Sequence, residues 1–134
     1  MNEDGQISPL ASPIIVWTAT NPLGVEVALK RDTYEKHIIG EHSNDKMRQE
    51  AYPFVRDVIS TPRFIYMDTS EPDKKRHRYI DIFPFPSLEK LYVLSVIVDA
   101  DRTPNEVVTW IVKRSLNQEH TSGGIIYDSR SDSK

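Results

Sequence analysis

At 134 residues, with 38% hydrophobic and 28% charged side chains, the chain has the size and make-up of one folded domain rather than a disordered acidic segment or two separate cores. Its longest mainly apolar stretch, Leu91 to Val98, falls far short of the roughly 20 residues that cross a bilayer, which excludes a membrane-spanning helix. A net charge of −3 excludes global attraction to nucleic acid, and the absence of cysteine excludes disulfides, thiolate metal sites and a cysteine nucleophile.

The segment Met1-Asn2-Glu3-Asp4 is acidic and leads into no apolar run of the secretory kind, so a cytoplasmic setting is expected. Residues 1–12 are mostly polar with Gly, Ser and Pro, and residues 128–134 alternate Ser with charge. Both read as solvated, disordered tails around a single domain over 13–127. Within that domain Ile14 to Thr18 and Val25 to Leu29 are β-rich runs separated by Thr20-Asn21-Pro22-Leu23-Gly24, which predicts a hairpin. Asp32 is suited to cap a helix starting at Thr33, and Gly40 is a natural place for that helix to loosen or stop. This puts His37 on a helix and His42 near its end. A second helix is expected from Asp45 to Ile59, with Pro53 either in the first turn of a new helix or at a kink, and Thr61-Pro62 ends it.

Phe64 to Met67 reads as a strand, followed by a polar loop over residues 68–73. Arg76 to Ile82, Lys90 to Val98 and Glu106 to Lys113 then form three strands with short connections, predicting an antiparallel meander. The run Leu91 to Val98 is apolar on both faces, as a central strand covered on each side would be. Gly123 to Tyr127 predicts a short last strand that sets Tyr127 beside the sheet. The expected class is α+β: an N-terminal hairpin and one or two helices packed on an antiparallel meander.

Three constellations carry chemistry. His37, Glu41 and His42 have the residue types of a zinc set, but the histidines are five apart. Five helical steps of about 100° separate the side chains, so a shared metal is the minor reading and none is assigned. The ordinary reading of each histidine is structural, one packing beside the core and one near a helix C-terminus. The run Lys74-Lys75-Arg76-His77-Arg78 has the charge to bind phosphate, and a solvated loop balanced by Glu71 and Asp73 is at least as good a reading. Strand alternation puts Arg76 and Arg78 on one face, opposed by His77 and Tyr79. Finally, Thr109 shares a face with Lys113 on the third meander strand, so its hydroxyl is available to hold a phosphate oxygen, although threonine is also simply a good strand former.

The order of these features resembles the phage-associated branch of the barnase-EndoU-colicin-RelE-like nucleases. The match lies in His37-Ile38-Ile39-Gly40-Glu41-His42, in Ile59-Ser60-Thr61-Pro62 at a helix end, and in the apolar strand preceding Val108-Thr109-Trp110. It covers roughly residues 30 to 114. This chain differs from the pattern in carrying Glu41 before the second histidine, where a basic residue is expected, and Trp110 in place of a tyrosine.

The resemblance implies metal-independent RNA cleavage by attack of the ribose 2′-OH on the adjacent phosphorus, with no cofactor. His42 is the first choice for proton transfer and His37 the second, with Arg78 stabilising the phosphorane and Thr109 orienting the phosphate. Arg76, Lys75, Lys113, Tyr66 and Tyr127 would contact RNA, the tyrosines by stacking. A toxin or phage-derived effector of this kind would have RNA as its substrate and an antitoxin or immunity protein as its partner. A non-catalytic RNA- or protein-binding module on the same scaffold is the alternative, and Glu41 favours it, because a carboxylate beside His42 repels RNA. A metal-dependent hydrolase using His37, Glu41 and His42 is the third reading.

Overall fold

The computed structural model describes residues 14–35, 46–71, 73–85, 90–114 and 123–132. The expected hairpin is present as β1 (Ile15–Thr20) and β2 (Glu26–Lys30), paired antiparallel. Its turn is built by Asn21, whose Oδ1 accepts hydrogen bonds from the backbone of Leu23 and Val25, both at 2.9 Å. Gly24 completes the turn at φ +84°, a conformation that costs glycine little.

Helical structure begins earlier than the capping pattern predicts. The short α1 (Arg31–Thr33) follows β2 directly, with Lys30 in the capping position and Asp32 inside the first turn rather than before it. The reason is strand pairing. Lys30 is still opposite Ile15, and the Arg31 backbone N–H donates to the Ile14 carbonyl at 2.9 Å, so the sheet fixes where the strand gives way.

The second helix, α2 (Lys46–Ser60), runs uninterrupted through Pro53. Neither a new helix nor a break occurs there, because Ala51, Val55, Val58 and Ile59 form one buried stripe that spans both sides of the proline. Thr61 closes the helix, its backbone N–H and its hydroxyl both donating to the Asp57 carbonyl at 2.8 and 3.1 Å.

Four strands follow in sequence: β3 (Phe64–Asp68), β4 (Arg76–Phe85), β5 (Lys90–Asp99) and β6 (Asn105–Lys113). They form the expected antiparallel meander, and β7 (Ile125–Asp128) adds to the outer edge of β3. Regular structure continues past Tyr127, since Ser129–Asp132 forms a 3-10 turn and Ser129 N–H donates to the Arg63 carbonyl at 2.9 Å.

The full order is β1-β2-β6-β5-β4-β3-β7, and β2 lies parallel to β6, with Val27 opposite Asn105 and Ala28 opposite Glu106. The sheet is therefore mixed, which corrects the wholly antiparallel expectation. A parallel neighbour needs a long crossover, here the whole chain from α1 through β5, and nothing in local periodicity announces it.

The main core lies between α2 and one sheet face. Val27, Leu29, Ile65, Tyr79, Leu94, Val96, Val98 and Trp110 are buried with the α2 stripe, each large side chain contributing roughly 1.5–3 kcal/mol on removal from water. Asn21 Nδ2 donates to the Tyr79 hydroxyl at 2.8 Å, so the tip of the first hairpin is tied to β4 across the core. The other face is also buried at its centre, through Ala28, Ile80, Val93, Ser95 and Ile97, which accounts for the doubly apolar pattern of β5.

Candidate functional site

Side chains directly opposite one another in a sheet share a face, so the strand register sorts the candidates. One cross-strand row reads Tyr66, Arg78, Ile97, Thr109 from β3 to β6. It lies on the face opposite α2. With strands about 4.8 Å apart, the Arg78 and Thr109 backbones are roughly 10 Å from each other, and Ile97 stands between them. The neighbouring row reads Asp68, Arg76, Asp99, Glu106. Lys113 belongs to the same face, but in a row with Val93 and Ile82 at the far end of the meander.

The arginines of this face are engaged by carboxylates. Arg78 is buried and donates from Nε and Nη2 to Asp68 Oδ1, at 3.3 and 3.0 Å, with the two side chains 4% and 1% exposed. Burial alone would push the Asp68 carboxyl up, but the Ser70 hydroxyl at 2.7 Å and the Arg78 guanidinium outweigh it and hold the group below its ordinary value. Arg76 donates from Nε to Asp99 and from Nη1 to Glu71, both at 2.8 Å. Lys74 also pairs with Glu71, at 3.6 Å. The balanced-loop reading of the basic run thus accounts for Lys74 and Arg76, while Lys75 is exposed at the entrance to β4 and its carbonyl accepts from Ala100 N–H at 2.8 Å.

Thr109 has a partner that sequence reasoning does not find. Arg48, in the first turns of α2, donates from Nη1 to the Thr109 hydroxyl at 3.3 Å, and its carbonyl accepts the Trp110 indole N–H at 2.8 Å. The Trp110 indole thereby ties the start of α2 to β6. A single arginine in an amphipathic helix carries no periodic or spacing signal, so nothing local marks Arg48 out.

Tyr127 is not part of this group. It faces Ile65 across the β3–β7 pair and packs against the core on the α2 side. There it borders a cavity of about 270 Å³ with Pro22, Pro62, Arg63 and Asp81. Tyr79 is a core residue on that side, and burial pushes its hydroxyl up despite the Asn21 hydrogen bond. His77 also projects from that face, where burial and then the charge of Lys75 push its pKa down.

His37, Glu41 and His42 lie outside the described residues, as does any convergence of His42 with Thr109. Among the described residues no group of three or more His, Asp or Glu side chains is placed to hold a metal, and no helix is long and apolar enough to cross a membrane.

The fold and site define an α+β domain whose mixed sheet is covered by a helix on one face and carries a tyrosine, arginine and threonine row on the other. Comparison with protein-family models, curated proteins and solved structures returns no match to this chain.

Proposed function

We propose that this chain acts on single-stranded RNA as a metal-independent ribonuclease with a barnase/RelE-like fold. The observation that carries the reading is the single row of Tyr66, Arg78 and Thr109 on one sheet face, with Arg48 brought to Thr109 by α2. In this reading Thr109 and Arg48 hold the scissile phosphate, and Tyr66 stacks on a base. Arg78, buried against Asp68, is a positioning residue that sets the field beneath Tyr66 rather than touching the phosphate.

In this reading the base is His42, four residues before α2 in sequence. It takes the 2′-OH proton as the 2′-oxygen attacks phosphorus. The P–O5′ bond breaks, the 5′-oxygen leaves with a proton from an acid, for which His37 is the candidate, and the products are a 2′,3′-cyclic phosphate and a 5′-hydroxyl. Such proton transfer is typically worth around 10²- to 10⁴-fold in rate.

Purified protein should cleave single-stranded RNA in EDTA, and His42→Ala should lower the rate by that factor. Cleavage that EDTA abolishes would overturn the metal-independent mechanism. A second reading, a non-catalytic binding module, is favoured by the carboxylate pairing of Arg76 and Arg78, which leaves the basic strand with little net charge for phosphate. RNA that is bound but recovered intact would decide for it. For a toxin with an antitoxin partner, induction in cells should arrest growth.

A further inference from the structure

Beyond the tyrosine of the central row, the edge of the same sheet face carries a second aromatic group. Phe64 precedes Tyr66 by two residues, so both project from one side of β3, with ring centroids 5.8 Å apart. Past the β7 strand the chain turns back, and the Arg130 guanidinium sits over the Phe64 ring at 5.1 Å from its centroid. Asp128, the cross-strand partner of Phe64, fixes that guanidinium through Nε at 3.1 Å and Nη2 at 2.8 Å, and also accepts the Arg130 backbone N–H at 2.9 Å. The Arg130 side chain is nevertheless 73% exposed.

We propose that Phe64, Tyr66 and Arg130 form a stacking platform for two successive unpaired bases of an RNA strand, extending the substrate path from the Thr109–Arg78–Tyr66 row to the β7 edge. The proposal rests on the RNA reading of that row. A guanidinium plane and aromatic rings accept any base through its π-face. The charge of Arg130 is already met by Asp128, so the platform supplies stacking rather than a phosphate contact. It therefore adds affinity without adding to the salt dependence, which comes from phosphate contacts. Two residues along a strand advance roughly 6.7 Å, which suits bases on an extended backbone rather than a stacked duplex.

The test uses fluorescence anisotropy with an uncleavable 2′-O-methyl oligonucleotide and its abasic counterpart, measured across a salt series on wild-type protein and on Arg130→Ala, Arg130→Lys and Phe64→Leu. Wild type should bind the base-bearing strand more tightly. Arg130→Ala and Phe64→Leu should each weaken that binding roughly 5- to 150-fold, the worth of one stacked base, and should leave abasic binding and the salt slope unchanged. Arg130→Lys keeps the charge and loses the plane, so it should behave like Arg130→Ala. Full binding by Arg130→Lys, a reduced salt slope in Arg130→Ala, or equal binding by all variants would overturn the platform while leaving RNA binding intact. Failure of wild-type protein to bind either strand would overturn the RNA reading itself and the platform with it. The exposure of Arg130 keeps the result independent of folding, which thermal denaturation of each variant verifies.

Discussion

Replacing Asp68 with Ala removes the carboxylate that accepts two hydrogen bonds from the buried Arg78 guanidinium. Breaking one side of a buried pair in this way costs about 3–5 kcal/mol, which urea denaturation would register as a lower midpoint. The joint change Asp68→Leu with Arg78→Met should recover most of that loss, because the pair's attraction is largely offset by its desolvation. At this scale the sequence disclosed direction but not partnership. Alternation along β4 is enough to put Arg76 and Arg78 on one face, whereas the choice of Asp68 for Arg78 follows from the β3–β4 register and that of Asp99 for Arg76 from the β4–β5 register. Arg48 and Thr109, 61 positions apart, meet only through the packing of α2 on the sheet.

Pro53 and Gly123 are two described positions where the backbone decides which residue fits best. A proline inside a helix forgoes one hydrogen bond and clashes with the preceding turn at a cost of roughly 3 kcal/mol, while its rigidity returns about 0.4–1 kcal/mol through the unfolded state. Pro53→Ala should therefore stabilise the protein by about 2 kcal/mol, seen as a higher melting temperature. Gly123 presents the opposite case. A Cβ there would lie 2.5 Å from the Met67 carbonyl oxygen and 2.9 Å from Met67 Cβ, and the backbone oxygen has no room to yield because Met67 N–H is bonded to the Gly124 carbonyl at 2.9 Å. Gly123→Ala should lift β7 from β3 at a cost of roughly 1–3 kcal/mol, and hydrogen exchange at Met67 should quicken. The hairpin, the meander strands and the end of α2 were legible because turn chemistry and residue period are local. The start of α1 and the parallel β2–β6 pair were not, since strand pairing decides both.

Among the described residues, three buried or half-buried groups with shifted titration, His77, Asp68 and Tyr79, shape the pH dependence of stability. Stability rises with pH wherever the unfolded chain binds more protons than the folded one. His77 and Asp68 are both held below their ordinary values of 6.5 and 3.8. For each, the unfolded chain protonates first as pH falls, so stability drops below about pH 6.5 for His77 and again below about 3.8 for Asp68, levelling off once the folded group has also protonated. Tyr79 has the reverse shift, raised from 10.0 by burial, so its unfolded form ionises first and stability falls as pH rises above about 10. The melting temperature should consequently be highest between about pH 6.5 and 10, with the near-neutral shoulder belonging to His77. His77→Gln removes the titrating ring while keeping a polar side chain, so it should flatten the profile just below about pH 6.5 and leave the loss below about 3.8 in place. An unchanged shoulder in that variant would assign the near-neutral titration to another group.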